Sequence, residues 1–316
     1  MRHLIAVLAL CAGQAWAQAY PAKPIRIIVP FTPGSATDIL ARSVSDRLAA
    51  ALGQPVIIEN RPGAGGTIGT AVVAKSPPDG YTLAVVSAGH AINPAIYDNL
   101  PYDTAKDLSG VIPLASLPSV LIVPSDLGVK TLQELIAYAR ARPGQLNYTS
   151  AGIGSASHVN AEKFRVAAGI SAVHVPVKGA PEMVQETMAG RIQFGLPGIV
   201  SAVPAIKEGR LIGLAVSSPR RSQALPDIPT FAEAGLPQGE FNFWIGLLAP
   251  AATPRAVVNK LHDEVSRALQ QPDVRERLAR LGAEPMPMSP GQFDAYMRQQ
   301  LEELGAVMRA AGVKAN

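Results

Sequence analysis

The residues best placed to do chemistry in this chain are small and uncharged. In "PFTPGSATD", Pro30 to Asp38, a glycine and a serine stand between the apolar run "IRIIV" and a helical pattern that begins at residue 36. Ser35 is a natural N-cap and Asp38 falls at the third helical position, the spacing of a capping box. Gly34 tolerates positive φ, and the first-turn amides, with the helix dipole behind them, can hold a carboxylate by main chain alone. The same residues also read as a plain helix cap. A second stretch, "YTSAGIGSASH", follows the same logic, with Gly152 and Gly154 leading to Ser155 as N-cap and His158 at the third position. Two such loops in separate domains can face each other across a cleft.

Other chemistries find no pattern. The glycines of "ENRPGAGGTIG" miss the dinucleotide spacing, because Ile68 stands where its last glycine belongs. There is no G-x-S-x-G elbow, and His90, His158, His174 and His262 stand singly, without metal-ligand spacing. The only cysteine is Cys11, inside a leader, so thiolate chemistry and disulfides are excluded from the mature chain. No cofactor and no metal is expected. Lys178 in "VPVKGAPE" is the one cation between a strand and a helix, readable as a surface charge or as a ligand contact. Trp244 reads as a packing residue or as a brace between domains.

Several elements must position these loops. "MRHLIAVLALCAGQAWA" has a basic start, a short apolar core and an Ala-Trp-Ala site, which is a secretory signal with cleavage near Ala17. The net charge of +4 becomes +3 once Arg2 leaves with it. So weak and dispersed an excess argues against a nucleic-acid partner. Behind the leader, short β-type runs alternate with helical patterns, the mark of an α/β protein with mostly parallel strands. Residues 254–312 look like helices covering a sheet, and the proline-rich passages at 113–124 and 226–250 like crossings between domains. The expected division is a signal peptide over 1–17, a first domain of 18–123 plus 246–316, and a second of 124–245.

Taken together, "YPAKPIRIIVPFTPGSATDILAR", "GQPVIIENRPGAGGTIG", "PPDGYTLAV", "LPYDTAKDL", "ELIAYARARPGQLNYTSAGIGSASH", "HVPVKGAPE", "ALPDIPTFAEAGLP" and "APAATPRAVV" resemble the Bug-type solute-binding proteins of tripartite tricarboxylate transporters. The resemblance implies a two-domain periplasmic-binding-protein clamshell, or Venus flytrap, that catches a small carboxylate and presents it to membrane permease subunits. It also implies a periplasmic location and no enzymatic role. Carried over, the ligand positions are Phe31, Gly34, Ser35, Thr37 and Asp38, then Ser150, Gly152, Gly154, Ser155 and His158, with Ser87 and His90 in a third loop. A sensor feeding a signalling partner needs the same cleft and stays open as an alternative. A receptor that docks and releases is most simply a monomer.

Three departures from the family pattern bear on the ligand. Gly34-Ser35 replaces a Gly-Gly pair, Val177 stands where tyrosine is usual, and "GRIQFGLPG" has Gln193 and Pro197 where an acid is common. These changes predict a ligand whose second end is apolar or aromatic, or a second carboxylate reached through water.

Overall fold

A computed structural model describes residues 20–241, 243–280, 282–310 and 312–314. The expected signal peptide and its cleavage site lie outside the described residues. From Ile25 the chain runs β1 (Ile25–Val29), α1 (Ala36–Leu52), β2 (Val56–Asn60), α2 (Thr67–Ala74), β3 (Thr82–Ser87), α3 (Asn93–Ile96) and β4 (Leu108–Leu117). It crosses over and continues as β5 (Val120–Pro124), α4 (Leu132–Arg140), β6 (Leu146–Ser150), α5 (Ala156–Ala168), β7 (Ala172–Pro176), α6 (Ala180–Met188), β8 (Phe194–Gly195), α7 (Ile199–Lys207) and β9 (Leu211–Val216). A second crossing leads to β10 (Phe243–Pro250), α8 (Arg255–Gln270), α9 (Pro272–Arg280) and α10 (Pro290–Ala310).

Each half forms one five-stranded sheet, ordered β2-β1-β3-β10-β4 and β7-β6-β8-β5-β9. In each, four strands share a direction and one opposes them: β10 is antiparallel to both β3 and β4, and β5 to both β8 and β9. The reversed strand is in both cases the first one after a crossing. The α/β reading with mostly parallel sheets therefore holds.

The boundaries need correction. All of β5 lies in the second sheet, so the first crossing is at Pro118–Ser119 rather than 123. Likewise Phe243–Ile245 belong to the first sheet, ahead of the expected return at 246. The passages read as proline-rich crossings include the second half of β4 and all of β10, the two longest strands of the first sheet. Pro113 sits opposite Gly246 beside a register shift, where a missing ladder donor is tolerated.

Local chemistry sets the helix ends. α1 buries Leu40, Ala41, Val44, Leu48 and Leu52 along one stripe, as a helix on a sheet must. It stops at Gly53, whose φ of 67° lets its N–H reach the Ala49 carbonyl. α8 and α10 pack on β4, and Trp244 meets Phe293 and Tyr296 of α10 edge-on. Trp244 thus clamps the last helix to the first sheet.

Candidate functional site

The two glycine-serine loops are built alike, bond for bond. In the first, the Ser35 hydroxyl accepts from the Asp38 amide at 3.4 Å, and the Asp38 carboxylate accepts from the Gly34 amide at 2.9 Å. In the second, the Ser155 hydroxyl accepts from the His158 amide at 3.3 Å, and His158 Nδ1 accepts from the Gly154 amide at 3.2 Å. Ser35 pairs with the Thr37 hydroxyl and Ser155 with the Ser157 hydroxyl, both at 3.0 Å. In "GSATD" and "GSASH" an acid and a neutral imidazole thus fill the same capping place. Ser35 and Ser155 donate their own amides to Thr32 and Gly152 carbonyls. Helix geometry then leaves the next two amides of each helix, Ala36 and Thr37, Ala156 and Ser157, with no intrahelical acceptor.

Those residues line one small cavity between the lobes, of about 30 Å³, together with Phe31, Ser87, Ala180, Pro197, Gly198 and Phe243. Gly198 is the N-cap of α7 and Ala180 the first residue of α6. Four helix N-termini therefore converge on one spot, with five hydroxyls and no charged side chain in its wall. Each N-terminus carries about half a positive charge, so the site attracts an anion and has no cation to desolvate. A cavity of this size holds about one water, so an organic ligand must enter while the lobes are parted.

The lobes meet backbone to backbone at glycines. A Cβ on Gly65 would lie 2.1 Å from the Ile153 carbonyl oxygen, and one on Gly89 would lie 2.8 Å from the Gly154 oxygen and 2.9 Å from the Ala156 nitrogen. The Tyr97 hydroxyl donates to the Ile153 carbonyl across the cleft.

The description "Tripartite tricarboxylate transporter family receptor" belongs to the family model that matches residues 40–313. The chain belongs to this family. It is 34% identical to Protein BugT of Bordetella pertussis over 322 residues, covering 99% of each chain. An R. palustris protein solved with adipate superposes with a TM-score of 0.90 at 34% identity, over 93% of this chain and 99% of its own. MatC of Rhodopseudomonas palustris, with bound malate, gives 0.87 at 34% identity, over 91% and 99%. The receptor is accordingly a periplasmic solute-binding protein and not an enzyme.

In this receptor the sequence-derived residues separate into three groups. Phe31, Ser35, Thr37, Ser87 and Ser155 line the cavity. Gly34, Asp38, Gly152, Gly154 and His158 shape the two loops from behind. Ser150, His90 and Lys178 lie outside the wall. The Ser150 hydroxyl is 2.7 Å from His174 Nε2, His90 stacks on Tyr102, and Lys178 is exposed while its amide donates to Glu182. Ala180, Gly198 and Phe243 were not legible as site residues: the helices at Ala180 and Gly198 begin without a serine or threonine cap, and Phe243 arrives from the second crossing. The departure at Gln193 is corrected: its side chain accepts from the Asn147 amide and donates to the Gly190 carbonyl, away from the cavity. Pro197 alone brings that segment's apolar character to the wall.

Asp38 is fully occupied. Burial pushes its carboxyl up, but hydrogen bonds from Arg42, Gly34 and Asn60 outweigh this and hold it below the usual range. Asp38→Ala leaves the Gly34 amide and one N–H of the Asn60 side chain without an acceptor, so stability in urea should fall by about 2–4 kcal/mol. A loss under about 1 kcal/mol would show that the loop does not depend on this carboxylate.

The second loop rests on stacked imidazoles. His158 and His174 lie with centroids 4.1 Å apart, and Tyr148 stacks on the other side of His174. Burial, and then the neighbouring His174, push His158 down to about 3, while burial alone takes His174 and His90 to about 4. Neutral His158 is what the Gly154 amide requires as an acceptor. Tyr148 donates to Glu162, which Arg165 clamps at 2.6 Å.

Proposed function

We propose that this receptor captures a small carboxylate between its lobes and presents it, as a single chain, to the permease subunits of a tripartite tricarboxylate transporter. The observation that carries this reading is the convergence of four helix N-termini on a hydroxyl-lined cavity without a charged side chain. Amide donors give an anion charge-assisted bonds with no rearrangement. A ligand that touches both lobes binds the apposed form better than the parted one and so shifts the population toward it. Phe31, Phe243 and Pro197 give the wall an apolar side, which supports a ligand with one carboxylate at the N-termini and a less polar remainder. The neighbours solved with adipate and malate support the substrate class.

Titration calorimetry against adipate, malate, citrate, benzoate and glutamate tests this. Binding by one carboxylate class is expected, and binding only by cations or neutral solutes would refute it. Ala36→Pro sharpens the test. Ser35 already has φ −69° and ψ 160°, the conformation favoured before proline, and proline suits the first helical position. The change removes one amide donor and keeps the helix. Affinity should fall about 10- to 150-fold, the worth of one hydrogen bond to a charged group, with the unliganded melting temperature nearly unchanged.

A further inference from the structure

Behind the crossings lies a second and far larger cavity, of about 840 Å³. The crossing segments separate it from the cleft. On the cleft side, the Ile199 amide donates to the Pro118 carbonyl and the Val120 amide to Pro197. On the outer side, the Ser119 amide donates to the Ser217 hydroxyl, and that hydroxyl donates to the Phe241 carbonyl. Pro118, Ser217 and Phe241 border the outer cavity, while Pro197 and Gly198 border the cleft. Because these segments lie between the two cavities, a rotation about them that widened the cleft would narrow the outer cavity.

The two walls of that outer cavity carry opposite charge. The second lobe and the loop that follows β9 supply Lys163, Arg220 and Arg221, against one acid of their own, Glu240. The first lobe supplies Glu284 and Glu303. Glu284 is fixed to the first sheet by reciprocal main-chain bonds with Ser116, and Glu303 lies on α10. Arg221 is held by Glu233 at 2.8 Å, and Lys163 donates to the Glu240 main-chain carbonyl. Arg220 faces Glu284 at 4.0 Å with both side chains largely exposed, at the rim of a cavity whose base is closed where Ser222 and Ala224 lie against Gly282.

We propose that these facing charges act as an electrostatic spring: their attraction across the outer cavity opposes closure of the cleft and returns the unliganded receptor to the parted form. As the lobes part, Arg220 and Glu284 approach full contact. As they close, the pair is stretched to the distance seen here. The spring weakens the intrinsic affinity slightly and speeds release, which suits a protein that must deliver what it catches. It rests on the reading of the cleft as a closing site, so the decisive measurement is made without any ligand.

Because the only cysteine lies in the leader, the mature chain accepts two engineered cysteines cleanly. Spin labels at the exposed positions Ile68 and Val173, one on each lobe, report the inter-lobe distance. In Glu284→Arg, which sets Arg220 against a like charge, the unliganded distribution should move toward the shorter distance, and so should the unmodified receptor when salt rises from low to about 1 M. The swap Arg220→Glu with Glu284→Arg should restore the original distribution. Once a carboxylate ligand is identified, Glu284→Arg should bind it about two- to fivefold more tightly, the range expected for an exposed pair. An unchanged distance distribution in Glu284→Arg, or a swap that fails to restore it, would overturn the spring. Absence of any carboxylate ligand would instead sink the proposed function and leave the distance result standing.

Discussion

Gly89→Ala should abolish most of the ligand affinity while leaving each lobe folded. The three atoms nearest to the added methyl all belong to the opposite lobe, around Gly154 and Ala156. These are main-chain atoms on a helix N-terminus fixed by Ser155 and His158, so they cannot swing aside as a flexible side chain would. Forcing an extra methyl into such a contact costs about 1–3 kcal/mol, and here the cost falls only on the apposed form. Affinity for the carboxylate should drop about 5- to 150-fold, with an unliganded melting temperature within about 2 °C of the parent. A parallel drop in melting temperature would place the damage inside the first lobe, and unchanged affinity would mean that the lobes do not meet at Gly89 when ligand is bound.

The second large effect is a loss of stability in mild acid. Burial favours neutral His90, His158 and His174, so between their ordinary value near 6.5 and their folded values of about 4, 3 and 4 the unfolded chain binds more protons than the folded one. Their contribution is therefore complete above pH 6.5 and is lost as pH falls. A fully buried histidine contributes a slope of about 1.4 kcal/mol per pH unit in that window and the partly exposed His174 less, so the three together remove about 4–5 kcal/mol between pH 6.5 and 5. For a chain of this size the melting temperature should fall by roughly 10 °C. Depressed carboxylates such as Asp38 and Glu162 add their own losses at lower pH. His158→Gln, which cannot be protonated, should flatten the slope by about a third. Equal slopes in parent and variant would rule out His158 as the titrating group.

How far the fold could be read from sequence depended on where prolines and glycines fell. α1, α4 and α5 were legible because serine or threonine N-caps precede apolar residues at helical spacing. β4 and β10 were not, because Pro113, Gly110 and Gly246 interrupt their apolar runs. Strands buried on both faces also lack the alternation that would mark them. α7 was hidden by Pro204 in its interior, and β8 is two residues long. The site divides in the same way. Its N-caps are local chemistry and can be read in order along the chain. The aromatic wall at Phe243 exists only because the second crossing returns the chain beside the first, a long-range fact that no window of sequence carries.

Ser217 ties the point where the chain leaves the first sheet to the point where it comes back, through one hydroxyl and two main-chain neighbours. The second lobe, about residues 119 to 241, is therefore a cassette whose two ends lie side by side on its host. Exchanging that cassette between relatives would replace about half of the ligand wall in one step, together with the apolar residues, such as Ile199 and Val200 of α7, that join it to the host's core. New specificities in such receptors can arise by recombining lobes as well as by altering single residues.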